Sequence, residues 1–191
     1  MYNKYLIFVP VFLCILFLDQ YTKWWIMHVF FQQEAYIGFM DWLSNAPDSL
    51  APFESNAVAG HLNIVSVWNK GISFGFLADR HGDGVTAHIL IILSFIIMGY
   101  FIRLFHQSKK PVQHFGASLI IGGALGNIAD RIRFSAVYDF LDFHYDGWHY
   151  PAFNIADTAI TVGVIMYIVG AIFFDNNRRK FARKVTEWHA K

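Results

Sequence analysis

The chain has 191 residues, of which 55% are hydrophobic, 18% aromatic and only 15% charged, with a formal net charge of +1. A soluble domain of this length carries about 25% charged residues, so the composition argues against an ordinary water-soluble protein, and no nucleic-acid partner is expected. The single cysteine, Cys14, excludes a disulfide within the chain.

Uncharged apolar blocks occupy residues 6–18, 85–102, 115–129 and 158–174. Several fall short of the ~20 residues that a membrane span needs, but each can extend by a turn or two into its flanks. They predict one domain, 1–191, with four transmembrane helices at about 5–27, 85–105, 113–131 and 153–175. The first block is expected to be retained as a helix rather than cleaved as a signal. No small-x-small site follows it, Asp19, Gln20 and Lys23 come directly after, and bulky Leu13 precedes Cys14 where a lipoprotein needs a small residue. Cys14 is expected to serve mid-helix packing.

The segment at about 31–84 is rich in Gly, Asn, Ser and aromatics, with Pro47 and Pro52 breaking any long helix. Within it "HLNIVSVW" (61–68) reads as a strand and "NKG" as a turn. A lone His88 opens the second helix and is expected to be packed and hydrogen-bonded. In the third, Gly122 and Gly126 form G-x-x-x-G, a close-packing motif. Asn127, Asp130 and Arg131 then follow at i, i+3 and i+4. The connection "FSAVYDFLDFHYDGWHYPAFN" is dense in the aromatics that favour a membrane interface and holds Asp139 and Asp142. At the head of the fourth helix Asn154, Asp157, Thr158 and Thr161 share one face. Ten Lys and Arg lie before the first helix, after the last and between the second and third, against five assigned to the opposite loops, Lys23, Lys70, Arg80, Arg131 and Arg133. The positive-inside rule then puts both termini in the cytoplasm and Asp157 near the outer face.

A carboxylate in such a helix is costly unless it has a task. An Asp at a helix N-terminus stabilises the dipole, but a cap calls for none of Asn154, Asn127 and Arg131. Two carboxylates held close cannot both ionise cheaply, so one keeps a proton while the other acts as base. Such a base deprotonates a water that attacks a peptide carbonyl, the acid protonates the leaving amine, and nearby Asn and Arg steady the oxyanion. No metal or other cofactor is required. Spacing alone leaves Asp130, Asp139 and Asp142 open as the partner of Asp157. A Ser/Lys pair, Ser66 or Ser73 with Lys70, is disfavoured because Lys70 lies beside a turn. Asp142, His144 and His149 lack compact metal-ligand spacing.

In order along the chain, "LDQYTK" (18–23), "WNKGISFGFL" (68–77), "GGALGNIADRI" (122–132), "VYDFLDF" (137–143) and "PAFNIADTAITVG" (151–163) resemble the conserved blocks of the lipoprotein signal peptidase family, signal peptidase II. The resemblance implies a membrane aspartic endopeptidase with Asp139 and Asp157 as the catalytic pair. It implies Asp19, Asn69, Asn127, Arg131 and Asn154 as supporting or substrate-binding residues, and a structural part for Asp130. The family's fold is a four-helix membrane domain with a small periplasmic β-cradle, here at about 31–84, and a short extramembrane helix. Its substrates are diacylglyceryl-modified prolipoproteins in the bacterial inner membrane, cut before the lipidated cysteine, and the cyclic peptide globomycin inhibits it. Ile72 and Ser73 stand where the family commonly has two small residues, and the stretch from Asp19 to Asn69 is longer than usual. The alternative is a proton-coupled transporter, which also places carboxylates in membrane helices but would need polar groups near mid-bilayer.

Overall fold

The structure, a computed structural model, describes residues 3–32, 37–45, 50–71 and 84–189, with side chains through 173. Ile72, Ser73 and the rest of the second family-like block beyond Gly71 lie outside the described residues. Helix α1 (Tyr5–Trp25) runs on into a π-helical turn (Ile26–Phe30), and a short helix α2 (Phe39–Ser44) follows. Strands β1 (Glu54–Ala59) and β2 (Leu62–Asn69) precede the long helices α3 (Val85–Gln107) and α4 (Pro111–Phe134). Strands β3 (Val137–Tyr145) and β4 (Trp148–His149) then lead to α5 (Ile155–His189).

Three stretches are long and apolar enough to cross a membrane among the described residues: Tyr5–Phe30, Val85–Gln107 and Ile155–Phe173. Most of their apolar side chains face outward, as lipid-exposed surfaces do; Leu6, Ile96 and Phe173 are examples. The fourth expected span, α4, is not among them. It starts on Pro111, where the missing N–H is free of cost, and it packs against α1, α3 and α5 at once. Protein covers it along most of its length, so it tolerates Gly, Ser, Asn and His where a lipid-facing helix would not. Cys14 faces outward. His88 is also exposed, with Nδ1 against the Gly84 carbonyl at 2.8 Å. Neither has the packing role expected of it.

Glycines set the helix spacing. A Cβ on Gly116 would meet the Gly163 carbonyl oxygen at 2.7 Å, and one on Gly163 would meet Gly116 O at 2.6 Å. In the G-x-x-x-G pair, Gly122 lies against the Phe12 backbone and Gly126 against the Asp19 carboxylate, so the motif seats α1. Between them Gly123 lies against the Ala156 carbonyl and seats α5.

The sheet is antiparallel in the order β1-β2-β3-β4. It is not confined to 31–84, because half of its strands come from the aromatic connection at 137–149. Tyr138 and Phe140 point from β3 into a cluster with Ile26, Met27 and Phe31, while Asp139 takes the opposite face. Opposite Asp139 in β2 stands Val67, which puts Asn69 diagonally beside it on the same face. The chain then returns from β4 so that Phe153 pairs with Leu141, through Phe153 N to Leu141 O at 3.1 Å and Leu141 N to Phe153 O at 2.9 Å. That bridge delivers the start of α5 to the middle of β3.

These contacts predict that Gly163→Val destabilises the protein, since overpacking against backbone costs about 1–3 kcal/mol. A Cβ on Gly99 meets nothing within 4 Å, so Gly99→Ala should leave the melting temperature unchanged or slightly raised. Thermal unfolding of both variants in one detergent checks this; equal melting temperatures would contradict the packing account.

Candidate active site

Asn154 closes the N-terminus of α5 and organises the site. Its Oδ1 accepts from the Asp157 backbone N–H at 2.9 Å, and its own N–H donates to Asp157 Oδ2 at 3.3 Å. This is the reciprocal arrangement of a capping box, made by Asn-x-x-Asp. The cap therefore does require Asn154, contrary to the expectation from sequence, and the same residue carries the site. Its Nδ2 donates to Asp139 Oδ1 at 2.8 Å and lies near Asn127 Oδ1 at 3.2 Å and the Tyr138 carbonyl at 3.3 Å. One residue thus holds both aspartates.

The remaining carboxylate oxygens are held from other elements. Asn69 Nδ2 donates to Asp139 Oδ2 at 3.0 Å from the end of β2. Asn127 Nδ2 donates to Asp157 Oδ1 at 2.7 Å from α4. Arg131, one turn on, donates to the Asn127 carbonyl at 3.5 Å, and its guanidinium feels the charges of Asp157, Asp130 and Asp139. Asp139 is only 2% exposed. Its carboxyl is pushed up to about 8, chiefly by burial and then by the Asp157 charge, against the donors from Asn69 and Asn154 and the charge of Lys23. Asp157 is half-buried and opens on a cleft of about 380 Å³ between Pro151, Phe153 and the α5 face bearing Thr158, Thr161 and Val162.

Asp19 sits one layer behind. Its Oδ1 accepts from the Ala156 N–H at 3.0 Å, and its Oδ2 lies 2.7 Å from Lys23 Nζ. Lys23 is also 2.7 Å from Asp130 Oδ2, and all three side chains are fully buried. Gln20 Nε2 donates to Asp19 Oδ2 at 3.1 Å and to Asp130 Oδ1 at 2.9 Å. Asp130 Oδ2 in turn accepts from the Tyr138 N–H at 3.3 Å, tying α4 to β3. Sequence reasoning missed Lys23 and Gln20, counting Lys23 as an outer-loop cation. The signal that could have found them is the i, i+4 spacing of Asp19 and Lys23 on one helical face.

The other candidates lie elsewhere. Asp142, on the far face of β3, accepts from Asn63 Nδ2 at 2.9 Å and from His149 Nδ1 at 2.9 Å. His144 stacks on His149. No group of three His, Cys, Asp or Glu side chains that could hold a metal occurs among the described residues. Lys70 is exposed while Ser66 is buried, so these two do not form a nucleophile pair; Ser73 lies outside the described residues.

Apolar helices around a polar, carboxylate-bearing layer at one end of the bundle define a membrane protein with an enzyme-like site. The chain belongs to the signal peptidase II family: the family model described as Signal peptidase (SPase) II matches residues 11–173. It is therefore a membrane protease. Similar proteins include the lipoprotein signal peptidases of Rickettsia akari (33% identical, covering 92% of this chain and 78% of the relative) and Rickettsia africae (37%, covering 83% and 69%). That of Anaplasma phagocytophilum is 44% identical over 56% of this chain and 67% of its own. Among solved structures, a bacterial membrane enzyme determined by the in meso method at 2.3 Å superposes with a TM-score of 0.64 at 28% identity, covering 89% of each chain. The transporter alternative gains no support from these relatives.

The raised Asp139 carboxyl makes a prediction about stability. Its folded value lies above the ordinary 3.8, so the folded state holds a proton that the unfolded state releases. The stability this gives is complete below about pH 4 and is lost as pH rises towards 8. Asp139→Asn cannot ionise and should lack this loss, so its melting temperature relative to wild type should climb between pH 5 and pH 8.5. A difference that stays constant across that range would contradict the raised value.

Proposed function

We propose that the protein is an aspartic endopeptidase that removes signal peptides from diacylglyceryl-modified bacterial prolipoproteins, cutting before the lipidated cysteine, with Asp139 and Asp157 as the catalytic pair. The observation that carries this is the shared hold of Asn154 on both carboxylates, one buried and one facing the cleft. With a proton kept on Asp139, Asp157 takes a proton from water as that water attacks the scissile carbonyl. Asp139 then donates on the side of the leaving amine, and the pair returns to its one-proton state. The pH–rate profile is expected to be bell-shaped, with both limbs assigned to the pair as a unit. Asn69, Asn127, Asn154 and Arg131 hold the carboxylates, and Asp19 fixes the start of α5. No metal or cofactor enters the reaction.

In this reading α4 is the fourth span of a multi-pass protein of the bacterial inner membrane. Both termini are cytoplasmic and the site lies at the periplasmic face. Burial of Lys23 removes it from the pool of free outer cations and strengthens the charge asymmetry behind this orientation. The site's place at the end of the bundle suits a substrate whose acyl chains remain in lipid while its scissile bond meets water, and globomycin is expected to compete for it.

Two outcomes follow for activity. Asp139→Asn and Asp157→Asn are nearly isosteric, so each should fold yet lose almost the whole rate, with the double variant little worse because the two act in one step. Asp142→Asn, bound to Asn63 and His149 on the far face of β3, should keep most activity. Single-turnover cleavage in one detergent measures all four, and an active Asp139→Asn beside a dead Asp142→Asn would reverse the assignment. For the substrate, purified protein should cleave the lipidated precursor efficiently, be inhibited by globomycin and ignore EDTA. Equal rates on unlipidated precursor would point to a general signal peptidase, and loss of activity in chelator would point to a metal.

A further inference from the structure

The buried group Asp19–Lys23–Asp130 is more than a clamp between helices. A fully buried cation with two carboxylates is a poor device for stability alone, since apolar side chains of similar volume are often neutral or better. What such a group supplies well is direction. Lys23 Nζ has three hydrogens and three oxygens in reach: Asp19 Oδ2 and Asp130 Oδ2, each at 2.7 Å, and Asn127 Oδ1 at 3.5 Å. The third contact bears on the site. Asn127 Oδ1 faces the ammonium and the Asn154 amide, and its Nδ2 donates to Asp157 Oδ1 at 2.7 Å. Turned over, the amide would set its oxygen against the Asp157 carboxylate and its NH2 against an ammonium, two repulsive contacts in place of two attractive ones. Asn154 supports the same orientation only in part, because one of its amide hydrogens is engaged by Asp139 at 2.8 Å and the other is shared between Asn127 Oδ1 at 3.2 Å and the Tyr138 carbonyl at 3.3 Å.

We propose that Lys23 is a positioning residue for the aspartate pair, fixing and polarising the Asn127 amide so that its NH2 group holds Asp157 in place for the reaction. The inference rests on the reading of Asp139 and Asp157 as the catalytic pair. A cation one amide away also favours the ionised form of the neighbouring carboxylates, and the Lys23 charge does oppose the rise at Asp139. The other charged groups around this point are Asp19 from α1, Asp130, Arg131 and Arg133 from α4, Asp139 from β3 and Asp157 from α5.

Lys23→Met alone leaves two buried carboxylates facing each other and is prone to misfold. The informative comparison sets Lys23→Met/Asp130→Asn, which removes one buried charge of each sign, against Asp130→Asn. Both arms share every other charge. Cleavage of lipidated precursor is measured against pH, per mole of protein that unfolds cooperatively. The double variant should lose about 10²-fold in kcat relative to Asp130→Asn, the scale of one lost preorganised donor, with KM within about threefold. Both limbs of its pH–rate profile should move upward by at least about 0.5 unit, since losing a cation makes the carboxylates harder to ionise. A double variant with the kcat and limbs of Asp130→Asn, differing only in melting temperature, overturns the proposal and leaves Lys23 a structural residue. Wild-type protein that fails to cleave lipidated precursor overturns instead the reading on which the inference rests, before any variant is compared.

Discussion

The side-chain amide of Asn154 does two tasks that cannot be separated. Its oxygen caps α5, and its nitrogen holds the buried carboxylate of Asp139. A cap of this kind is worth about 1 kcal/mol to a helix, but the constraint it imposes here is geometric. The first turn of α5 starts where Asn154 sits against β3, and Asp157, three residues on, is aimed by the same turn. The Phe153–Leu141 bridge sets the height of that junction. Spacing between the two aspartates is thus fixed by backbone pairing and capping rather than by contact between the carboxylates, which in their ionised forms repel.

For this junction to lie inside the bundle, α1 and α5 must come unusually close to α4. Gly123 and Gly126 permit it, one against the Ala156 carbonyl and the other against Asp19. The same approach that packs the helices brings Asp19, Lys23, Asn127, Asp130, Asn154 and Asp157 into one polar layer. Within a bilayer, helix association cannot rely on the hydrophobic effect, and close backbone contact with interhelical hydrogen bonds takes its place. The small residues of α4 and the polar residues at its end are two parts of one solution, which explains why the helix at the centre of the fold is the least lipid-like of the long helices.

How much of this was legible follows from the same physics. Lipid-facing helices announce themselves by unbroken apolar runs, so α1, α3 and the membrane part of α5 stood out. Helix α4 was read as a span on its run at 115–129, although its side chains meet protein rather than lipid. Strand β3 was not read as a strand at all. Both of its faces are covered from Val137 to Asp142, so that part shows no alternation, and its aromatics suggested an interface. That omission is why spacing could not choose between Asp139 and Asp142: in a strand they point to opposite faces, and only one can meet α5. Lys23 was misplaced because a cation just after an apolar run reads as a loop residue, whereas burial with two carboxylates depends on α4, more than a hundred residues away.

The energetic character of the site sets it apart from its surroundings. Asp139 is buried where its charged form is disfavoured, and the protein forgoes stability at neutral pH to keep it there. A purely structural residue at this point of β3 would be apolar or would have its charge neutralised by a direct cation. Instead it receives two neutral amides, from Asn69 and Asn154, and its nearest full positive charges act from a distance. Neutral donors hold a carboxyl in place while leaving its proton available; a direct lysine would hold it equally well but strip the proton away. The amides between the Lys23 ammonium and the aspartates therefore do more than relay position. They separate the Lys23 charge from the buried Asp139 carboxyl, and under the proposed function that separation is what a two-carboxylate site needs of the residues around it.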